Sequence, residues 1–205
     1  MTTEFQGWLQ IAVLACLAFL GLGRALILNT RKIRVFVLDS QMTKTQLLNG
    51  MVFVFCFVTW IFEAVTHGLS LDYHIPSAIL HTVLIQHIGI RIVAIIILIL
   101  GLLIYALALL SFGDSWRIGI DREKSGNLVT TGIFSWSRNP IYISLGLLAL
   151  GTFLLQGHLI FLILTICIVV SLHIQILEEE KFLTQVHGEI FLNYCSRVGR
   201  YFKFK

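Results

Sequence analysis

The chain has 205 residues, of which 57% are hydrophobic and only 13% are charged, and its formal net charge is +4. Soluble domains are about half apolar and carry about a quarter charged residues, so this composition excludes an ordinary soluble domain. It favours an α-helical membrane bundle. Basic loops that face anionic headgroups account for the net charge, and no nucleic-acid partner is predicted.

Five apolar segments follow one another along the chain. A membrane-spanning helix needs about 17 to 25 such residues, and the first and third segments meet this easily. The last two are short and are separated only by Gln156-Gly157-His158, which predicts a helical hairpin. We therefore predict an all-α, polytopic bundle of five transmembrane helices. The predicted spans are 8–28, 47–65, 92–111, 141–156 and 159–177.

Lysine and arginine are concentrated in three of the segments outside these spans. By the positive-inside rule these segments are cytosolic. The N-terminus is then outside and the C-terminus is cytosolic, which agrees with an odd number of spans. The basic residues are Arg31, Lys32, Arg34 and Lys44, then Arg117, Arg122, Lys124 and Arg138, and finally Lys181, Arg197, Arg200, Lys203 and Lys205.

The end of span five carries three consecutive carboxylates, Glu178, Glu179 and Glu180. Carboxylates at the end of an apolar helix are costly unless they face a wet cavity or pair with bases. Apolar residues at near-helical spacing continue from Phe182 to Val198. This pattern predicts that the helix continues, or re-forms, as a C-terminal amphipathic helix at the membrane interface.

The start of span four is marked by Arg138-Asn139-Pro140. Asn is a good N-cap and Pro is favoured at the first helical position. A helix N-terminus offers unpaired N–H groups and a positive dipole end, which suit a carboxylate, and Arg138 lies one residue before it. The alternative is a simple cap with Arg138 extended toward lipid phosphates.

Four histidines cluster near the loop between spans two and three: His67, His74, His81 and His87. Spacings of seven and six could align some of them on one helix face. No carboxylate or cysteine completes an evident ligand set, so no metal site is predicted.

An ordered series of short motifs between Trp116 and Tyr201 resembles the isoprenylcysteine carboxyl methyltransferase family, which is related to phospholipid methyltransferases. The family usually has His after the motif arginine, where this chain has Asn139, which can form hydrogen bonds but cannot carry charge. The motifs are Trp116-Arg117, Leu128-Val-Thr-Thr-Gly-Ile-Phe134, Arg138-Asn-Pro-Ile-Tyr142, Glu179-Glu180, Gly188, Tyr194 and Arg197-Val198.

The resemblance implies S-adenosylmethionine as methyl donor and S-adenosylhomocysteine as product. It implies that Arg138 and Arg197 hold an acceptor carboxylate, and that Glu179 and Glu180 face the cofactor or hold an arginine. The residues implied to bind the cofactor are Gly126, Asn127, Leu128, Val129, Gly132, Phe134, Asn139, Pro140, Ile141, Tyr142 and Glu179.

The resemblance also divides the chain by role. Residues 1–115 would form a scaffold with access for a lipid-like substrate, and residues 116–205 would form the active site. The expected location is a membrane, with the site on the cytosolic side where the polar cofactor enters. The motifs leave three alternatives open: a phospholipid amine N-methyltransferase, an NADPH-dependent sterol-type reductase, and a non-enzymatic scaffold or channel.

Overall fold

The computed structural model describes residues 3–33, 35, 42–71, 75, 78–116 and 128–202. Within these residues the regular secondary structure is helical, apart from an isolated β-bridge between Val83 and His158. Short 3₁₀ turns lie at Gly113–Ser115 and Gly132–Ser135. The helices are α1 (Thr3–Thr30), α2 (Lys44–Gly68), α3 (Ile88–Phe112), α4 (Pro140–Gln156), α5 (Leu159–His187) and α6 (Glu189–Arg197).

A helix occupies each of the five predicted spans. Helices α1, α2, α3 and α5 are long and apolar enough to cross a membrane. Helix α4 has 17 residues and is about 25 Å long, whereas the hydrocarbon core is about 30 Å thick. It lies at the lower limit for a span, so the count of five and the sidedness of the termini stay predictions.

Helices α3 and α4 pack closely because small residues line their interface. A Cβ on Gly151 would lie 2.7 Å from Leu98 Cγ, and one on Gly101 would lie 3.1 Å from Leu148. Small residues let two helix backbones approach, and this is a common basis of helix association in membranes. The α3–α4 pair therefore anchors the hairpin that carries the site.

Two buried polar contacts connect the remaining helices. Gln10 Nε2 on α1 donates to Thr152 Oγ1 on α4 over 3.1 Å, and both side chains are fully buried. Asn49 Nδ2 on α2 donates to the carbonyl of Ser171 on α5 over 3.1 Å. Buried polar groups need such partners in an apolar bundle, so these contacts fix which helix faces meet.

The hairpin brings the start of α4 and the last part of α5 to the same end of the bundle. Its turn is at Gly157, with φ +75°, and α5 ends at Gly188, with φ +50°. The chain then folds back as α6, whose apolar side faces the protein, while Ile190 and Leu192 are exposed. The buried side is formed by Phe191, Tyr194 and Val198, packed against Leu128 and Leu183.

Candidate active site

The three consecutive glutamates of α5 point to three different partners, since successive helical residues are turned by about 100°. Glu178 accepts hydrogen bonds from Gln46 Nε2 on α2 and from Lys181 Nζ, both over 2.8 Å. Glu179 accepts a hydrogen bond from the hydroxyl of Tyr142 on α4. The predicted need of these carboxylates for partners is thus met by contacts within the protein.

Glu180 is the centre of a cluster of charged and polar side chains. Its Oε1 accepts from Arg138 Nε (3.1 Å) and Nη2 (2.9 Å), and from Asn139 Nδ2 (3.2 Å). Its Oε2 accepts from Arg200 Nε over 2.9 Å and lies 2.8 Å from Arg200 Nη2. We call Arg138, Asn139, Glu180 and Arg200 the Glu180 cluster.

The two arginines of the Glu180 cluster differ in how many of their guanidinium nitrogens are engaged and in how exposed they are. Arg138 Nη1 donates to the carbonyls of Val198 (3.0 Å) and Cys195 (3.3 Å), so all three of its nitrogens are engaged. The Arg138 side chain is 11% exposed, whereas that of Arg200 is 37% exposed. Hydrogen bonding to Glu180 raises the pKa of Arg200, which keeps its guanidinium charged. Arg200 is therefore the arginine with a face open to an anion.

Backbone contacts hold the C-terminal segment against the start of α4. Arg138 N donates to the carbonyl of Gly199 over 3.2 Å, and Asn139 Nδ2 donates to that of Arg200 over 3.1 Å. Asn139 lies at the N-cap position as predicted, but its side chain makes no capping hydrogen bond. Its side-chain amide instead donates to α5 and to the segment after α6. A neutral donor can make both hydrogen bonds, so no charged group is needed at this position.

The 3₁₀ turn at Gly132–Ser135 fits tightly between α3 and α6. Gly132 has φ +62°, and a Cβ there would overlap the hydroxyl of Ser111. The Phe134 ring packs edge-on against Phe112 with 4.7 Å between centroids. The Phe134 carbonyl accepts from the Tyr194 hydroxyl over 2.6 Å. Burial raises the pKa of Tyr194, so its phenol stays protonated as the donor that joins the turn to α6.

An open cavity of 430 Å³ lies beside the Glu180 cluster, between α5 and α6. This volume is within the usual range for small-molecule sites. Its lining combines two guanidinium groups, the ammonium group of Lys181 and one carboxylate with apolar surface, so it suits a ligand that is partly apolar and carries an anionic group. The lining residues are Arg138, Leu177, Glu180, Lys181, Thr184, Phe191, Cys195 and Arg200.

Of the residues that the sequence proposes for the site, the structure brings Arg138, Asn139 and Glu180 into direct contact. Tyr142 and Glu179 form a second pair between the same two helices. Pro140 is the buried first residue of α4, and Ile141 packs against the bundle core. Leu128 packs on α6, Val129 is partly buried, and Gly126 and Asn127 lie outside the described residues.

The structure separates Arg197 from the Glu180 cluster and adds Arg200. Arg197 is exposed, and its Nε donates to the carbonyl of Asn193 in its own helix over 3.1 Å. Arg200 lies three residues later, after α6 has ended at Arg197. The sequence signal for Arg200 was its place in the polar C-terminal segment, but motif matching alone favoured its neighbour.

Comparisons with known proteins relate part of this chain to methyltransferases. Residues 90–190 match the family model described as phospholipid methyltransferase. Protein-S-isoprenylcysteine O-methyltransferase of Saccharomyces cerevisiae is 30% identical over 107 residues, which are 51% of this chain and 45% of the relative. The chain thus spans less than half the length of this curated relative. Residues 90–190, which include α4, α5 and nearly all of α3, are therefore similar to the phospholipid methyltransferase family, and the resemblance to methyltransferases predicted from the motifs is confirmed.

Proposed function

We propose that this protein is an integral membrane methyltransferase that moves a methyl group from S-adenosylmethionine to the carboxylate of a lipophilic, prenylcysteine-like acceptor. The observation that carries the proposal is the Glu180 cluster beside an open cavity of 430 Å³. Arg138, Asn139 and Glu180 lie inside the segment that matches the methyltransferase family model, and Arg200 follows it. The curated relative is named for the methylation of an isoprenylcysteine, which supports a carboxylate acceptor here.

The residues around the cavity fit S-adenosylmethionine, which joins an apolar aromatic base to an amino-acid tail and a positive sulfonium. Leu177 and Phe191 supply apolar walls, and Arg200 supplies a guanidinium for a carboxylate, while the charge of Glu180 is neutralised by its two arginines. When bound, the cofactor supplies an electrophilic methyl group, whose transfer to a carboxylate oxygen breaks one C–S bond, forms one C–O bond and leaves S-adenosylhomocysteine.

The chain's own residues then need only to bind and orient the reactants. A carboxylate acceptor is already ionised at neutral pH, since such groups have pKa values of about 3.3 to 4.3, so no general base is required. Arg200 would orient a carboxylate through charge-assisted hydrogen bonds. Arg138, with all its nitrogens engaged, would hold Glu180 and the C-terminal segment in place. Arg197 has no part in this arrangement, because its guanidinium lies at the surface of α6.

The proposal includes a location. Basic segments before α2, before α4 and after α5 favour the cytosolic side for the Glu180 cluster. A lipid-like acceptor would then enter from the bilayer through the scaffold formed by residues 1–115, while a polar cofactor enters from the cytosol. The site in residues 116–205 would lie where the two paths meet.

A second acceptor class is favoured by the family match, whose description names phospholipids. Methylation of a phospholipid amine requires loss of a proton, which a general base would take. The carboxylate of Glu179, hydrogen-bonded to Tyr142 at the start of α4, is the group suited to that task. The two acceptor classes make different products and can be separated directly.

The test uses purified full-length protein with S-adenosylmethionine labelled in its methyl group, given either a prenylated cysteine or phosphatidylethanolamine vesicles. We expect the label to appear in the prenylcysteine product. Mild base should release this label as methanol, since a methyl ester is base-labile and an N-methyl group is not. Base-stable label in the phospholipid would favour the amine acceptor instead. No transfer to either, together with binding of NADPH and not of S-adenosylhomocysteine, would overturn the methyltransferase proposal in favour of a reductase.

A further inference from the structure

Three histidines meet at the end of the bundle away from the Glu180 cluster. His67 lies in the last turn of α2, His81 in the turn before α3, and His158 at the N-cap of α5. One ring nitrogen from each lies within 4.8 Å of those of the other two. Helix α4, about 25 Å long, separates this group from the Glu180 cluster, so the two are distinct sites.

The grouping differs from the one that sequence spacing suggested. His87 is exposed and caps α3, where its Nδ1 accepts from Gly89 N over 3.1 Å, and His74 lies outside the described residues. His158, far away in sequence, takes the third position because the α4–α5 turn packs against the chain before α3. Its ring centroid is 4.5 Å from that of His67.

Backbone hydrogen bonds hold the three histidines together. The carbonyl of Gly157 accepts from Leu84 N over 2.7 Å, and Leu159 N donates to the carbonyl of Thr82 over 3.0 Å. Gly157 has φ +75°, and a Cβ there would overlap the carbonyl of Ile85. The segments that carry His81 and His158 are therefore joined by backbone hydrogen bonds around the β-bridge between Val83 and His158.

A buried carboxylate completes the surroundings of the histidines. Glu63, one turn before His67 on α2, is fully buried. Its Oε1 accepts from Ile75 N over 2.9 Å, and its Oε2 lies 3.7 Å from His67 Nε2. The Ile75 carbonyl lies 3.0 Å from His81 Nε2. When Nε2 of His81 carries the proton, the lone pair is on Nδ1, and this pattern of a ring N–H held by a backbone carbonyl is common among metal-bound histidines.

We propose that His67, His81 and His158 bind one divalent transition-metal ion, with Zn²⁺ the best fit, and that Glu63 is a positioning residue that offsets its charge. Three imidazoles with an adjacent carboxylate and no thiolate suit zinc. Tetrahedral bonds of about 2.0–2.1 Å place ligand nitrogens about 3.4 Å apart, so each ring nitrogen has to move inward by at most about 0.8 Å. The ion would clamp the end of α2 to the α4–α5 turn.

The first test uses the full-length protein, purified with a tag that contains no histidine and stripped with a chelator. We expect one Zn²⁺ to bind per chain and to raise the temperature of unfolding, because a ligand bound by the folded state stabilises it. Co²⁺ should give the intense visible absorption of a four-coordinate site. Failure to bind a stoichiometric ion, or the weak absorption of six-coordinate Co²⁺, would overturn the proposal without any variant.

Variants locate the site. His158→Ala and His67→Ala should abolish stoichiometric binding, and Glu63→Gln should weaken it by about 10–100-fold, as changes next to metal ligands do. His87→Ala is the matched control, since it removes an exposed histidine nearby and should bind Zn²⁺ like the wild type. Unchanged binding in the His67→Ala, His158→Ala double variant would contradict the assignment of the ligands.

Discussion

At the scale of single residues, the site is organised by how many hydrogen bonds each carboxylate accepts and how many each guanidinium donates. Glu180 accepts five contacts from Arg138, Asn139 and Arg200. Arg138 has every nitrogen engaged, while Arg200 keeps an open side. In the proposed function, Arg138 therefore has a structural role and Arg200 a ligand-facing one.

Replacing Glu180 by Gln should lower the unfolding free energy by about 1.5–3 kcal/mol, because two partly buried guanidinium groups lose their charged acceptor. Glu178→Gln is the matched control two residues away. Its ion pair is with Lys181, whose side chain is 68% exposed, so its loss should be under about 1 kcal/mol. Thermal unfolding in detergent measures both, and equal shifts would contradict the central place of Glu180.

Replacing Arg138 and replacing Arg200 should have different effects on ligand binding and on stability. Arg200→Ala should reduce binding of S-adenosylhomocysteine or acceptor at least tenfold with a small change in unfolding temperature, since Glu180 keeps its contacts with Arg138. Arg138→Ala should mainly lower the unfolding temperature, because the carbonyls of Cys195 and Val198 lose their donor. Calorimetric titration beside a thermal scan checks this. A larger loss of binding in Arg197→Ala than in Arg200→Ala would restore Arg197 as the ligand-facing residue.

At the scale of elements, the site depends on close approaches that only glycine permits. The turn at Gly132–Ser135 approaches α3 where Gly132 faces Ser111, and α4 approaches α3 where Gly151 faces Leu98. The first approach holds the chain just before α4 against α3, and the second holds α4 itself against α3.

Gly132→Ala should destabilise the protein by about 1–3 kcal/mol, because φ +62° is strained for alanine and its Cβ would overlap Ser111. Gly23→Ala on α1 is the control, since no heavy atom lies within 4 Å of a Cβ built there. Thermal unfolding should show a lower midpoint for the first variant only. Equal midpoints would mean that the turn can move away from α3 without cost.

Gly151→Val should separate α3 from α4 and cost about 1–3 kcal/mol, as overpacking does. The control is Gly50→Val on α2, where a Cβ meets nothing within 4 Å. Because the hairpin carries the Glu180 cluster, we also expect weaker binding of S-adenosylhomocysteine in Gly151→Val. Wild-type stability and binding in this variant would show that the close α3–α4 approach does not position the site.

At the scale of the whole molecule, the open question is whether α4 crosses the membrane. Three helices, α3, α4 and α5, lie between Ser70 at the end of α2 and Ser196 in α6. If all three cross, these two exposed positions are on opposite sides of the bilayer. If the 17-residue α4 does not cross, they are on the same side.

Single cysteines at positions 70 and 196, in a chain whose four native cysteines are replaced by Ser, test this with a membrane-impermeant maleimide. We expect Ser70→Cys to react in intact cells and Ser196→Cys to react only after lysis, as the positive-inside rule predicts. Reaction of both in intact cells would reject five spans. Reaction of position 196 alone would keep the odd number and invert the orientation.

The sequence by itself determined the helical class, the places of the five apolar helices and the resemblance to methyltransferases, because hydropathy, helix starts and short motifs are local patterns. It also proposed Arg138, Asn139 and Glu180 for the site, since each belongs to a motif, and the structure brings these three into contact. Only the tertiary structure decided that Glu180 pairs with Arg200 and not with Arg197, and that His158 joins His67 and His81. Both pairings depend on where a chain returns after a glycine turn, at Gly188 and at Gly157, and a turn of this kind leaves no spacing in the sequence from which its partners can be predicted.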